Sequence, residues 1–311
     1  MTLAFVFPGQ GSQAVGMSTA LATDFPIVKE TYAEASHALG YDLWELVANG
    51  PVEELNKTQV TQPAMLTAGV ATWRAWQAQQ GPAPVVMAGH SLGEYTALVC
   101  AGTFAFAEAV KLVADRARFM QEAVPVGQGA MAAILGLDDD VVRKVCEEAA
   151  QGDVVEAVNF NSPGQVVIAG SVAAVARAIE QAKTAGAKRA ASLPVSVPSH
   201  CRLMHPAAER MAERMTQAAF KAPAIPVIHN VHVKTETDVT AIRNALARQI
   251  ESPVRWVETV QKMAADGVTH IVECGPGRVL AGLNKRISDQ AKTFAVYDPA
   301  TLAAGLAAVK N

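Results

Sequence analysis

The segment Gly89-His90-Ser91-Leu92-Gly93 constrains the fold of this chain more than any other. It follows a short apolar run, Pro84-Val85-Val86-Met87-Ala88, which reads as a buried strand, and it precedes a helical pattern through Ala101. In that setting G-x-S-x-G describes a sharp strand-to-helix turn. Glycines two positions either side leave room for a serine held in a strained conformation. The hydroxyl then projects at a helix N-terminus, where the dipole and the unpaired N–H groups favour a developing oxyanion. A chain built on this turn needs a buried strand covered by helices, so the expected class is α/β. The bland alternative, an ordinary turn, is weaker in this setting than it would be for an isolated match.

Leu3-Ala4-Phe5-Val6-Phe7 forms a second buried-strand run and ends in the Gly-rich turn Gly9-Gln10-Gly11. An acyl-transfer serine needs two oxyanion donors. The Leu92 N–H supplies one, and the turn at Gln10 can supply the other from a neighbouring strand end; read alone, it is equally a tight turn. Predicted helices cover 26–39, 63–79 and 105–123, followed by a change of rhythm. Strand 130–135, helix 138–150, strands 154–159 and 165–169, helix 172–185 and strand 190–195 give the order β-α-β-β-α-β. This predicts a small domain, 127–197, inserted in a large one made of 1–126 and 198–311. Beyond it, Ser199 is expected to cap a helix over 200–219. A strand at 227–231, helices at 241–250 and 252–266, a final core strand at 271–274 and a helix at 279–287 complete the pattern.

Half the residues are apolar and 18% are charged, which suits a sizeable core. A net charge of −3 excludes a global basic excess for nucleic acid or an anionic membrane. No apolar stretch is long enough to span a bilayer. The opening MTLAFVFPGQG lacks a basic n-region and is cut by Pro8-Gly9, so it reads as a core strand rather than a signal peptide, and a cytoplasmic location is expected. The cysteines at 100, 146, 201 and 274 form no CxxC pair or zinc-ligand spacing. Reduced thiols and no metal site are expected.

Of the histidines, His90 flanks the serine but points away from it, and His37, His229, His232 and His270 sit in ordinary patterns. His200, after Pro198-Ser199 at the end of the inserted segment, is the best candidate base. Cys201 beside it is a rival nucleophile without an elbow. The residues themselves identify no acid to orient the imidazole. Projecting 105–123 at about 100° per residue places Arg116 among Leu112, Val113 and Met120 on the apolar face, with Lys111, Asp115 and Arg118 opposite. A guanidinium in a core direction requires a fixed anion or many hydrogen bonds. Either a structural salt bridge or a substrate carboxylate, gripped two-pronged, satisfies it.

The segments FPGQGSQ (7–13), TQPA (61–64), GHSLGEY (89–95), DRARFMQ (115–121), NFNSPGQVVIAG (159–170), VPSH (197–200) and ECGPG (273–277) occur in one order along the chain. In this it resembles the malonyl-CoA:acyl carrier protein transacylases of fatty-acid synthesis and the acyltransferase domains of polyketide synthases. The resemblance implies an α/β-hydrolase-like large domain with an inserted ferredoxin-like small domain. It implies Ser91 as nucleophile, His200 as base held by the backbone carbonyl of Gln249, and the N–H groups of Gln10 and Leu92 as oxyanion hole. Arg116 would grip the malonyl carboxylate, with Gln62 and Asn159 as further substrate-binding positions. The implied partners are malonyl-CoA and the phosphopantetheine of acyl carrier protein, handled by a monomer without a cofactor. Rival functions are a serine hydrolase or thioesterase, a trans-acting enzyme for a polyketide carrier or a malonate decarboxylase, and a non-catalytic carrier-docking subunit. Arg116, and the lack of an assignable acid between Ser91 and His200, speak against the hydrolase.

Overall fold

The computed structural model describes residues 1–195 and 197–310. Ser196 and Asn311, which fall inside the predicted domain spans, lie outside the described residues. Strands β1 (Leu3–Phe7), β2 (Val86–Gly89), β7 (Val227–Ile228), β8 (His270–Cys274) and β9 (Lys292–Val296) form a parallel sheet in the order β7-β2-β1-β8-β9. Every residue of β1 and β2 is buried, as expected for strands covered on both faces. Alternation divides them: Phe5 and Phe7 pack with the Trp73 and Trp76 helix on one side, and Ala4 and Val6 with Trp256 and Val260 on the other.

Strands β3 (Gly129–Leu135), β4 (Val155–Ser162), β5 (Gln165–Ser171) and β6 (Arg189–Ser192) form an antiparallel sheet in the order β4-β5-β3-β6. Helices Asp139–Ala150 and Val172–Thr184 cover one face, with Ile134, Val142, Ile168 and Val175 in the core between. On the other face Met131, Val158, Val167 and Ala169 enclose Cys201. The second sheet therefore packs directly on the residue that follows His200.

Several expectations are corrected. The helix predicted over 200–219 begins at His205, after a 3-10 turn at Arg202–Met204. His200 itself has φ of 69°, which no helix accommodates. The strand predicted over 227–231 ends at Ile228, because His229 and Asn230 turn to face the elbow helix. The helix expected from 252 starts at Trp256, since Val254 pairs with Val158 and Phe160 of β4. Helix 63–79 starts earlier, at Thr58, with Pro63 inside it. Strand β8 is not the last: β9 and helix Pro299–Lys310 follow.

Candidate active site

Ser91 has φ 52° and ψ −110°, outside the regions that ordinary residues occupy. Its neighbours enforce this. A Cβ on Gly89 would meet the Gly93 carbonyl carbon at 1.9 Å, and one on Gly93 would meet the Phe7 carbonyl oxygen at 2.0 Å. The elbow thus exists because two glycines let strand, helix and β1 interpenetrate. The helix Leu92–Cys100 begins at the next residue, so the Leu92 N–H lies at its N-terminal end. Strands β1 and β2 run side by side with Phe7 opposite Gly89, which carries the Gly9-Gln10-Gly11 turn to the elbow. The approach is close: a Cβ on Gly9 would meet the His90 carbonyl oxygen at 2.5 Å.

His200 reaches the serine from 109 residues away in sequence. Its Nε2 is 2.7 Å from Ser91 Oγ and its Nδ1 is 2.8 Å from the Gln249 carbonyl oxygen. A carbonyl can only accept, so Nδ1 carries the proton. Nε2 is left bare to accept from the serine hydroxyl. The left-handed turn at His200, and its own N–H donating to the Ile250 carbonyl oxygen at 3.0 Å, aim the ring. Burial, and secondarily the Arg116 charge, hold the imidazole down to about 3, well below the ordinary 6.5.

Arg116 is 1% exposed and stands behind the serine. Its Nη1 donates to Gln62 Oε1 at 2.7 Å; its Nη2 donates to Gln249 Oε1 at 3.0 Å and to Ser91 Oγ at 3.2 Å. All three acceptors are neutral, and Nε is buried without a partner. The salt-bridge alternative therefore fails: burial of this guanidinium is balanced by amide and hydroxyl oxygens, and burial lowers its pKa. Gln62, 1% exposed, lies beside it.

Gln249 contributes its side chain as well as its backbone carbonyl. The side chain is fully buried, with Oε1 on Arg116 and Nε2 donating to the Ser91 carbonyl at 2.9 Å and to Glu94 Oε2 at 2.8 Å. Asn159 lies half-buried on β4 with its Oδ1 buried and unpartnered, and no hydrogen bond joins it to the serine, imidazole or guanidinium. His90 turns away from the serine as expected and bonds Asn161 Oδ1 at 2.8 Å.

Three residues of the site escape a reading of the sequence. Asn230 Oδ1 accepts from the Ser91 N–H at 2.8 Å and its Nδ2 donates to the Gly89 carbonyl at 2.7 Å, pinning both sides of the elbow. Glu94, fully buried, accepts from His229 Nδ1 at 2.6 Å and from the Asn230 N–H at 3.0 Å. It is no third member of a triad, because its partner is His229 and not His200. Its signal was the one that marked Arg116: a lone charge in an apolar helix, here Leu92–Cys100. Among the described residues no His, Cys, Asp and Glu group is arranged to hold a metal ion. No described helix is long and apolar enough to cross a membrane.

Comparison with known proteins gives the family. The acyl transferase domain model matches residues 4–302. The malonyl CoA-acyl carrier protein transacylase of Escherichia coli is 62% identical over 303 residues, covering 97% of this chain and 98% of that protein. The transacylase of the same name from Bacillus subtilis is 44% identical over 310 residues, covering 99% and 98%. Among solved structures, the Coxiella burnetii malonyl CoA-acyl carrier protein transacylase superimposes with a TM-score of 0.99 at 52% identity, covering 100% of this chain and 98% of that one. A malonyl-transacylase in complex with its type II PKS acyl-carrier protein gives 0.98 at 56% identity, covering 99% and 100%. Matches of this identity along nearly the whole chain leave one conclusion: it belongs to the acyl transferase domain family.

Proposed function

We propose that the chain moves a malonyl group from coenzyme A to the phosphopantetheine thiol of an acyl carrier protein through an ester on Ser91. The observation that carries this is a buried guanidinium 3.2 Å from the serine hydroxyl with only neutral partners. Such a site attracts a carboxylate on the acyl group being transferred.

In the first half-reaction the Ser91 proton passes to His200 Nε2 and Oγ attacks the thioester carbonyl. The oxyanion rests on the N–H groups of Gln10 and Leu92. Collapse breaks the C–S bond, and the departing thiolate takes the proton from Nε2. In the second half the carrier thiol gives its proton to His200, attacks the ester, and the serine oxygen recovers the proton. Arg116 holds the carboxylate throughout, with Gln62 and Asn159 lining the acyl group. Every step is a proton or acyl transfer, so the reading invokes no metal and no cofactor. Transfer from labelled malonyl-CoA to a panel of carrier proteins tests it and identifies the carrier. A chain that releases free malonate instead is a hydrolase.

The finer architecture belongs to the same reading. The parallel sheet and its helices, 1–126 and 198–311, form an α/β-hydrolase-like domain, and 127–197 a ferredoxin-like one. The β-α-β-β-α-β order and the sheet order β4-β5-β3-β6 support the second assignment. A cytoplasmic monomer completes it.

The imidazole gives a pH test. A lowered pKa means His200 gains its proton only far below 6.5. The base form persists through neutrality and is lost as pH falls towards 3, so kcat/KM for acylation should stay flat from about pH 8 to about 5. The unfolded chain takes that proton first, so the same residue lowers stability progressively between 6.5 and 3. His200→Ala should slow single-turnover acylation by about 10²–10⁴. A limb near 6.5 that disappears in this variant would contradict the buried, neutral base.

Carrier docking has a candidate surface. Lys188-Arg189 and Lys285-Arg286 are exposed. Leu135 pairs with both Arg189 and Gln165, and Arg286 Nη1 donates to Gln165 Oε1 at 3.0 Å, so both basic pairs meet at one end of the antiparallel sheet. The neighbour solved with a carrier protein supports such a partner. Reversing both pairs to Glu should raise KM for an acidic carrier about tenfold at low salt, with KM for malonyl-CoA unmoved. Equal shifts in both would remove the docking role.

A further inference from the structure

The Gln249 side chain has two chemically opposite ends, and the site needs each in one place. Its carbonyl oxygen faces Arg116 Nη2 at 3.0 Å and its NH₂ faces Glu94 Oε2 at 2.8 Å. The flipped amide would set NH₂ against the guanidinium and oxygen against the carboxyl group, a loss at both ends in a buried site. Arg116 alone cannot decide the matter firmly, since its Nη2 also has Ser91 Oγ as acceptor. Glu94 can. It is fully buried, fixed by the His229 ring at 2.6 Å and the Asn230 N–H at 3.0 Å, and lies one helical turn beyond the nucleophile. Burying a carboxyl group is unfavourable unless its oxygens are bonded, so a purely structural core at this point would more cheaply be apolar.

We propose that Glu94 is a positioning residue for acyl selectivity: by locking the Gln249 amide it sets the acceptor that holds Arg116 in line for a substrate carboxylate. This rests on the reading of Arg116 given above. Glu94 touches neither substrate nor the reacting atoms, and it acts through Gln249.

The test is the ratio of kcat/KM for malonyl-CoA over acetyl-CoA, measured for wild type, Glu94→Ala, Glu94→Asp, Glu94→Gln, Gln249→Ala and the Glu94→Ala/Gln249→Ala double variant. Rates for both thioesters should drop when Glu94 is shortened, but the ratio should fall by about tenfold in the Ala and Asp variants, the scale of one lost charge-assisted hydrogen bond. Glu94→Gln should keep the ratio within about threefold, because its oxygen can still face Gln249 while its NH₂ turns to His229. That ring can move its proton to Nε2, which has no partner now. The double variant should be no less selective than Gln249→Ala alone. If Glu94→Ala does not fold, Glu94→Asp, which keeps the charge and loses only reach, takes its place in the cycle. A fall by one common factor for both thioesters, or multiplying losses in the double variant, overturns the inference. A wild type with no malonyl preference overturns the Arg116 reading, and this inference with it; a selective wild type whose ratio survives every Glu94 variant overturns this inference alone.

Discussion

Ser91→Ala is expected to erase the malonyl ester that intact-mass measurement detects on wild type after malonyl-CoA is added, and to lower transfer by about 10⁶, as for other serine enzymes stripped of the nucleophile. The fold should survive. The elbow is set by the contacts of Gly89 and Gly93 with their neighbours and by the Asn230 clamp, none of which uses the Ser91 hydroxyl. Arg116 Nη2 loses one acceptor but keeps Gln249 Oε1. The rival nucleophile has little prospect: Cys201 is fully buried, and burial pushes its thiol up to about 12. A malonyl ester that still accumulates in the alanine variant would show that the elbow serine is not the acceptor.

Arg116→Ala should separate two thioesters that differ only in a carboxylate. Wild type should strongly prefer malonyl-CoA, because an acetyl group leaves the buried guanidinium with neutral direct partners, the Glu94 carboxyl group lying beyond the Gln249 amide. Leaving a buried charge unpaired typically costs about 3–5 kcal/mol, or roughly 10²–10³ or more in kcat/KM. In the alanine variant the malonyl carboxylate would be the unpaired charge, so malonyl transfer should collapse by a factor of that order. Acetyl transfer should fall little or rise. The vacated space is lined by Gln62 and Gln249, polar enough for water to enter. Arg116→Lys should be intermediate at best, since an ammonium cannot bond two amide oxygens and grip a carboxylate two-pronged. Arg118→Ala is the control: that side chain is half-exposed, pairs with the carboxylates of Asp115 and Glu122, and lies over the Phe119 ring. Equal losses of malonyl and acetyl transfer in Arg116→Ala would make Arg116 structural and end the carboxylate-clamp reading.

Much of this site is legible in the chain because its signals are local. The elbow needs only a strand, two glycines and a helix within about fifteen consecutive residues. Arg116 betrays itself by angle on one helix, and the structure buries it with the same Leu112, Val113 and Met120 that flank it in projection. The β-α-β-β-α-β order follows from the two periods of a single stretch. Other features had no local signal. The turn that aims His200 depends on a positive φ that the sequence pattern assigned to a helix. Strand β9 is an edge strand with a mostly half-exposed pattern, so it lacks the apolar run that marks β1 and β8. The carbonyl role of Gln249 is reached only through family resemblance. Its side-chain role, and those of Glu94, His229 and Asn230, are bonds between positions 133 to 158 residues apart. Hydrophobic periodicity says which side of an element faces inward, but not which buried polar atom will meet another. That pairing is decided when the sheet stacks its strands out of sequence order, β7 beside β2 and β2 beside β1, and each buried donor must find an acceptor among the residues brought to it.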